Sequence, residues 1–503
     1  MTTTKQAKFI DAMIPITVLI CLLGAAVYLY GDNSSSGPNQ IALLFATFAA
    51  ALVGLKNGYT WKTLEEAMIK GITISLGAIL ILLMVGALIG TWLLSGTVPT
   101  LIYYGLQIIN PHWFYAASCI ICGVVAMSIG SSWTTAATIG VALLGVANGL
   151  SLDPVVTAGA VISGAYFGDK LSPLSETTNL APAVAGADLF AHIHHMLWTT
   201  VPSFVIAVII FIFMGFNAEI SSDATAIDAM VDLLAANFNI NILNLMPLVV
   251  LLVLAIRKMP AFPAISIGAV LGAVWALLFQ SDLLASQVDV SQGQLVGYFK
   301  LVWATFFDGF AISTGDAKMD DLLSGGGMSG MLNTTWLIMM ALMFGAIMEK
   351  TGLLEVFVRS ILKIAKSTGS LVAATISTCI GTNLVAADQY IAIVVPGRMF
   401  KEEYKKRGLQ PVNLSRTLED GGTITSPLIP WNTCGAYMQS VLLINPFDYA
   451  FYAFFNLINP VLAIIYAYLG IKILRIEPKH LQSGDDVAAQ AVPQGQKKEQ
   501  DSA

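Results

Sequence analysis

Gly168-Asp-Lys-Leu-Ser-Pro-Leu-Ser-Glu-Thr-Thr-Asn179 and Gly422-Thr-Ile-Thr-Ser-Pro-Leu-Ile-Pro-Trp-Asn-Thr433 share Ser-Pro-Leu at matching places in the two halves of a strongly apolar chain. Hydrocarbon offers no hydrogen bonds to the backbone groups that a Ser-Pro break releases. Such a break persists only where protein or a water-filled cavity receives those groups. One break in each half is the pattern of a secondary transporter whose site lies between two repeats.

The surroundings of the breaks agree. Of 503 residues, 56% are hydrophobic and 11% charged, against about 25% charged in soluble domains. Apolar runs at 12–30, 40–55, 71–94, 198–216, 242–256, 262–280, 331–348 and 446–470 mostly approach the ~20 residues that a spanning helix needs. They are continuous rather than alternating, which excludes a barrel. The first run follows Lys5 and Lys8 but is too long for a signal h-region, so it reads as a membrane helix. The net charge of −6 lies largely in loops and the tail, and no basic patch points to nucleic acid. Cys119-Ile-Ile-Cys122 has metal or redox spacing but neither polar neighbours nor a second pair, so packing is expected.

The later half echoes the earlier one. Val85-Gly-Ala-Leu-Ile89 returns as Phe344-Gly-Ala-Ile-Met348, Gly96 as Gly352, Ser128-Ile-Gly130 as Cys379-Ile-Gly381, and Ser172-Pro-Leu174 as Ser426-Pro-Leu428. Lys and Arg accumulate in cytoplasmic loops, and here they invert between the halves. Lys56, Lys62 and Lys70 follow the second run, whereas its later counterpart holds Asp308, Asp316, Asp320 and Asp321 around Lys318. Residues 95–112 lack basic residues, whereas 349–370 contain Lys350, Arg359, Lys363 and Lys366. The same rule makes 113–147 and 367–396 segments that enter and leave on one side, with expected tips at Gly130-Ser-Ser132 and Gly381-Thr-Asn383.

The expected fold is an all-α polytopic membrane protein of two inverted-topology repeats, each with about five transmembrane helices, one of them broken, plus a re-entrant hairpin. Residues 1–216 form the first repeat, with its hairpin at 113–147 and broken helix at 154–183; an external linker spans 217–241. Residues 242–476 form the second, with its hairpin at 367–396 and broken helix at 417–440, and 477–503 form a disordered cytoplasmic tail. Both termini then lie in the cytoplasm. Residues 295–315, with Lys300, Trp303 and Phe306, suggest an interfacial helix.

A hard cation such as Na⁺ takes oxygen ligands, and unwound helices supply them. The candidate cation and proton sites are Asp169, Glu176 and Asp388, because an intramembrane carboxylate is costly enough to be presumed functional. Neutral ligands are expected from Ser131 and Ser132 at the first tip, and from Ser172, Ser175, Thr177, Thr178 and Asn179 at the first break. Thr382 and Asn383 at the second tip, with Thr425, Ser426, Asn432 and Thr433 at the second break, complete the set. Na⁺ itself is placed at Asp169, Glu176 and Asn179. Low-dielectric surroundings favour a neutral acid, so H⁺ and Na⁺ can compete for one carboxylate. The structural alternatives are that Asp169 pairs with Lys170 or caps a helix, that Asp388 satisfies the hairpin internally, and that Glu419 and Asp420 form a cytoplasmic salt bridge or N-cap. His192, His194 and His195 mark an interface or sense pH. Trp133 and Trp431 are expected to pack the hairpins.

The string Gly164-Ala-Tyr-Phe-Gly-Asp-Lys-Leu-Ser-Pro-Leu-Ser-Glu-Thr-Thr-Asn-Leu-Ala-Pro182 resembles the hallmark of NhaC-type sodium:proton antiporters. Gly130-Ser-Ser-Trp-Thr-Thr135, Leu414-Ser-Arg-Thr-Leu-Glu-Asp420 and Leu428-Ile-Pro-Trp-Asn-Thr-Cys-Gly435 extend the resemblance over about residues 50–470. Glu176 departs from it, since the family more often shows Asp there. The resemblance implies an elevator-type motion, usually in a homodimer, and relatives that exchange malate and lactate together with Na⁺ and H⁺.

The expected function is Na⁺/H⁺ exchange across a bacterial inner membrane, with the transported ions and no cofactor. The alternative is a Na⁺/H⁺-coupled organic-acid antiporter of the malate/lactate type, for which Lys170 is the basic residue at the first break. An enzyme is not expected: the chain has neither a G-x-S-x-G elbow nor an H-E-x-x-H helix.

Overall fold

The computed structural model describes residues 5–218, 224–288, 293–362 and 365–476. The expected tail at 477–503 and part of the expected linker lie outside the described residues. The described residues form helices and turns without a strand. Eight of their helices are long and apolar enough to span a membrane.

The first three helices are α1 (Phe9–Tyr30), α2 (Pro38–Lys56) and α3 (Trp61–Leu94). With 34 residues, α3 is about 51 Å long at ~1.5 Å per residue and exceeds a ~30 Å hydrocarbon core. It starts ten residues before its apolar run, with the Thr60 hydroxyl accepting from the Thr63 amide, so Glu65, Glu66 and Lys70 are part of it. Next come α4 (Thr97–Ile108) and a helical reversal of α5 (Phe114–Ile129), α6 (Ser132–Thr135), a π turn and α7 (Val141–Gly149). The first broken span is α8 (Pro154–Leu171) and α9 (Glu176–Ala185), followed by α10 (Leu189–Asn217).

The later half opens with α11 (Ala224–Asn237) and α12 (Met246–Ile256), which meet at 85°. It continues with α13 (Ala261–Phe279), α14 (Ser281–Gln287), α15 (Gln294–Asp308), α16 (Ala317–Leu323), α17 (Leu332–Lys350) and α18 (Leu353–Leu362). Leu295, Phe299 and Trp303 are exposed on α15, as an interfacial helix would require. A second reversal joins α19 (Thr368–Ala386) to α20 (Gln389–Lys406). The second broken span begins with α21 (Pro411–Leu418), unwinds through a π turn and a 3-10 turn, and resumes as α22 (Thr433–Leu442). The last two helices are α23 (Pro446–Tyr449) and α24 (Phe454–Leu469), so the final apolar run is interrupted at 450–453.

The second tip is not at Gly381-Thr-Asn383. Helix α19 runs unbroken through these residues for 19 residues, about 28 Å, and reverses at Ala387, which adopts a left-handed φ of 55°. The polarity that suggested a tip is absorbed within and beside the helix: the Thr382 hydroxyl donates to the Thr378 carbonyl at 2.8 Å, and the Asn383 amide reaches the second break. The corresponding first reversal is at Gly130, φ 77°, followed by Ser131 as N-cap. Asp388 caps α20 in the same way, accepting from the Ile391 amide at 3.0 Å.

Helices α2, α3, α13 and α17 contribute to one large apolar cluster, while α9, α19, α20, α21 and α24 enclose a second. Gly345 of α17 lets the second reversal approach, since a Cβ there would lie 2.6 Å from the Ala386 carbonyl oxygen. Phe45, Phe48, Ile209 and Phe213 are exposed, which suits faces that meet lipid.

Candidate functional site

The first break satisfies its own backbone. Thr178 donates to the carbonyls of Lys170 (3.0 Å) and Asp169 (3.3 Å) at the end of α8. Asn179 donates to those of Pro173 (2.9 Å) and Ser175 (2.7 Å), while the Ser172 hydroxyl accepts from the Leu174 amide. The second break is handled similarly. Asn383 donates to the Gly422 carbonyl (2.6 Å) and the Thr425 hydroxyl (3.1 Å), and Asn456 and Tyr449 donate to the carbonyls of Ile424 and Pro427. Thr425 and Ser426 donate back to Gly421 and Thr423, and Asn432 donates to the Asn383 side chain at 3.0 Å. Ser172, Thr178, Asn179, Asn383, Thr425, Ser426 and Asn432 thus hold the two unwound segments together, Thr382 bonds within its own helix, and none of these eight lines the cavity described next.

That cavity, of about 530 Å³, is lined by Asp169, Glu176 and Asp388 together with Ser131, Ser132, Ser175, Thr177 and Thr433. Residues far apart in sequence meet here because both reversals and the first break point into it. Much of its apolar lining comes from α3 (Ile74, Gly77, Ala78, Ile81, beside Ser75) and α13 (Ala261, Ala264, Ile265). Asp169 and Asp388 are buried, whereas Glu176 is exposed. Asp169 accepts from both the Ser132 hydroxyl (2.6 Å) and the Ser132 amide (3.1 Å), at the start of α6. The positive end of a helix suits that carboxylate. Asp388 meets the Thr433 hydroxyl at 3.5 Å. Among the described residues no three His, Cys, Asp or Glu side chains stand close enough to share one metal ion, so a cation here would take hydroxyl or water oxygens as well.

Each reversal is tied to the other half's broken span. Tyr390 of α20 donates to Glu176 at 2.5 Å. Trp133 stacks on Tyr437 of α22 with centroids 4.0 Å apart, and the Tyr437 hydroxyl donates to the Trp133 carbonyl at 3.1 Å. Trp133 also lines the cavity, and Trp431 donates to the Leu384 carbonyl. Gly130 is required at the first tip: a Cβ there would lie 2.6 Å from Leu174 Cβ and 2.9 Å from the Ser175 nitrogen. Lys258, in the left-handed region at φ 63°, brings a cation to the cavity wall. No local motif signalled Tyr390, Tyr437 or Lys258.

Behind the cavity lies a charged cluster that sequence reasoning assigned differently. Lys170 pairs with Asp420, not with Asp169, and both are fully buried. Asp420 also accepts from Asn459 (2.8 Å) and Thr199 (3.2 Å), and lies 3.9 Å from Arg416. Asp420 and Glu419 are therefore interior groups, where a cytoplasmic salt bridge or N-cap had been the expectation. His192 shares a 2.8 Å hydrogen bond with Ser415, and His195 meets the Lys472 carbonyl at 2.9 Å, while His194 is exposed. Cys119 and Cys122 are buried on α5.

The family model described as the Na⁺/H⁺ antiporter family matches residues 164–471, more than half of the chain and inclusive of both breaks and the second reversal. The chain belongs to the Na⁺/H⁺ antiporter family. This family member is 41% identical over 435 residues to the Na⁺/H⁺ antiporter NhaC of Alkalihalophilus pseudofirmus, covering 86% of this chain and 91% of that one. It is 38% identical over 434 residues to the malate-2H⁺/Na⁺-lactate antiporter of Bacillus subtilis, covering 86% and 90%. Among solved structures, the efflux pump MtrF of Neisseria gonorrhoeae aligns with 91% of this chain and 95% of its own at 13% identity, with a TM-score of 0.37.

Proposed function

We propose that this membrane protein exchanges Na⁺ for H⁺ by alternating access across a bacterial inner membrane. The observation that carries the reading is the convergence of Asp169, Glu176 and Asp388 on one cavity beside two helix breaks. Kinship with a relative named as a Na⁺/H⁺ antiporter, at 41% identity, supports it. Asp169 and Glu176 are the exchanging carboxylates. Na⁺ ligands come from these two and from the hydroxyls of Ser131, Ser175 and Thr177, which share the cavity; Asn179, held by the break, is replaced in that role. Protons compete for the same carboxylates. Cytoplasmic termini, inverted repeats and a homodimer belong to the same proposal. The shared geometry of the reversals, a left-handed residue followed by an N-cap at Gly130-Ser131 and Ala387-Asp388, supports the repeat. An elevator motion belongs to the proposal as well, with α3 and α13 lining the same cavity as the reversals and the first break.

The test is Na⁺-driven proton movement in proteoliposomes. Glu176→Gln and Asp169→Asn should each lower exchange by about tenfold or more, since each removes a charge that the transported ion must meet. Unchanged exchange in both variants would remove the assigned roles.

A further inference from the structure

Among the described residues, Glu419 is an acid with both carboxylate oxygens buried and without a hydrogen-bond partner. It opens the π turn Glu419–Thr423 at the second break, a local geometry frequent at functional sites. The Thr423 hydroxyl next to it is also unpartnered. The ionisable groups that act on Glu419 are Lys170 and Asp169 from α8, Asp420 beside it and Cys379 from α19. Arg416, one turn earlier on α21, leaves Nε and Nη2 without hydrogen bonds.

A bare ionised carboxylate in a low-dielectric interior is strongly unfavourable unless a counter-charge answers it. In the arrangement described, Asp420 already takes the ammonium of Lys170, which leaves burial without a hydrogen-bond partner to favour the protonated form of Glu419. Lys170 and Arg416 contribute two positive charges and Asp420 one negative charge. The cluster is therefore +1 with Glu419 protonated and neutral with Glu419 ionised. Lys170 is the chain neighbour of Asp169, whose carboxylate lines the cavity. An excess positive charge behind Asp169 opposes a cation in front of it, and loss of that charge favours one.

We propose that Glu419 is a second proton site, outside the cavity, whose proton opposes Na⁺ binding at Asp169 through the Lys170–Asp420–Arg416 cluster. The inference rests on the Na⁺/H⁺ reading and adds to it: H⁺ and Na⁺ need not share one carboxylate to be exchanged. By linkage, a proton at Glu419 weakens Na⁺ binding by the same factor that Na⁺ weakens the proton.

The experiment is ²²Na⁺ binding to purified full-length protein across pH, with proton release on Na⁺ addition measured in weakly buffered detergent. In wild type, Na⁺ affinity should rise with pH and protons should be released. Glu419→Gln, which copies the protonated acid, should bind Na⁺ about five- to twentyfold more weakly at high pH, release fewer protons, and show a flatter pH dependence. Glu419→Asp should restore the slope. Glu419→Gln with the wild-type slope and proton release would overturn the inference, whereas a wild type that releases no protons would overturn the antiport reading itself. Should Glu419→Gln fail to fold, infrared spectroscopy decides between the same outcomes. A protonated-carboxyl band that is lost on Na⁺ addition and displaced in Glu419→Asp supports the site, and a band displaced in Glu419→Asp but indifferent to Na⁺ overturns it.

Discussion

Splitting the Lys170–Asp420 pair should be asymmetric. Both side chains are fully buried, and removing one partner of such a pair leaves an uncompensated charge at a cost of about 3–5 kcal/mol. Among the described residues Lys170 has Asp420 as its hydrogen-bond acceptor, whereas Asp420 keeps Asn459 at 2.8 Å, Thr199 at 3.2 Å and Arg416 at 3.9 Å if the lysine is lost. Charge-assisted hydrogen bonds are each worth about 1.5–3 kcal/mol, so Lys170→Met should fall at or below the lower end of the range, about 2–3 kcal/mol. Asp420→Asn strands two buried cations and should cost about 4–5 kcal/mol. The double variant removes both members and should cost no more than Asp420→Asn alone, an interaction of about 2–3 kcal/mol between the two sites. Unfolding in mixed detergent and SDS micelles, with all four proteins measured in parallel, gives the cycle. Additive costs, or a Lys170→Met variant less stable than Asp420→Asn, would refute the reasoning.

Three further outcomes follow from the cavity and its supports. Gly130→Ala places a Cβ at a left-handed φ of 77° and against Leu174 and Ser175; it should cost about 2–4 kcal/mol and weaken ²²Na⁺ binding, and wild-type values for both would contradict the assigned close approach. Asn383→Ala takes away the amide that donates to the Gly422 carbonyl and the Thr425 hydroxyl and should lower stability by about 2–4 kcal/mol in the same unfolding assay. Lys258→Gly relieves a left-handed lysine and removes a cation from the cavity wall; it should raise Na⁺ affinity about two- to fivefold at low ionic strength, with the gain fading as choline chloride is added. A gain that persists at high salt would point to a contact other than charge.

Much of this protein was legible along the chain. The class followed from continuous apolar runs, and the breaks from Ser-Pro inside them, because a proline in a spanning helix must release backbone groups wherever it folds. Asp169, Glu176 and Asp388 stood out in sequence because an acid in an apolar segment needs a reason to be there, and the structure places all three on one cavity. The second tip was not. Thr382 and Asn383 look the same in sequence whether they form a turn or ride on a helix, and the choice fell to a carbonyl at Gly422, 39 residues away.

Sequence alone determined where polar groups would be left short of partners; tertiary structure decided who supplies them. Thr178 and Asn179 went to backbone carbonyls, Ser132 and Thr433 to the carboxylates, and Lys170 to an acid 250 residues distant rather than to its neighbour. The reason is physical: an unmet hydrogen bond or charge is fixed by the residue and its depth in the membrane, whereas its partner is fixed by which helices pack together. That packing is a property of the whole chain and leaves no local pattern to read.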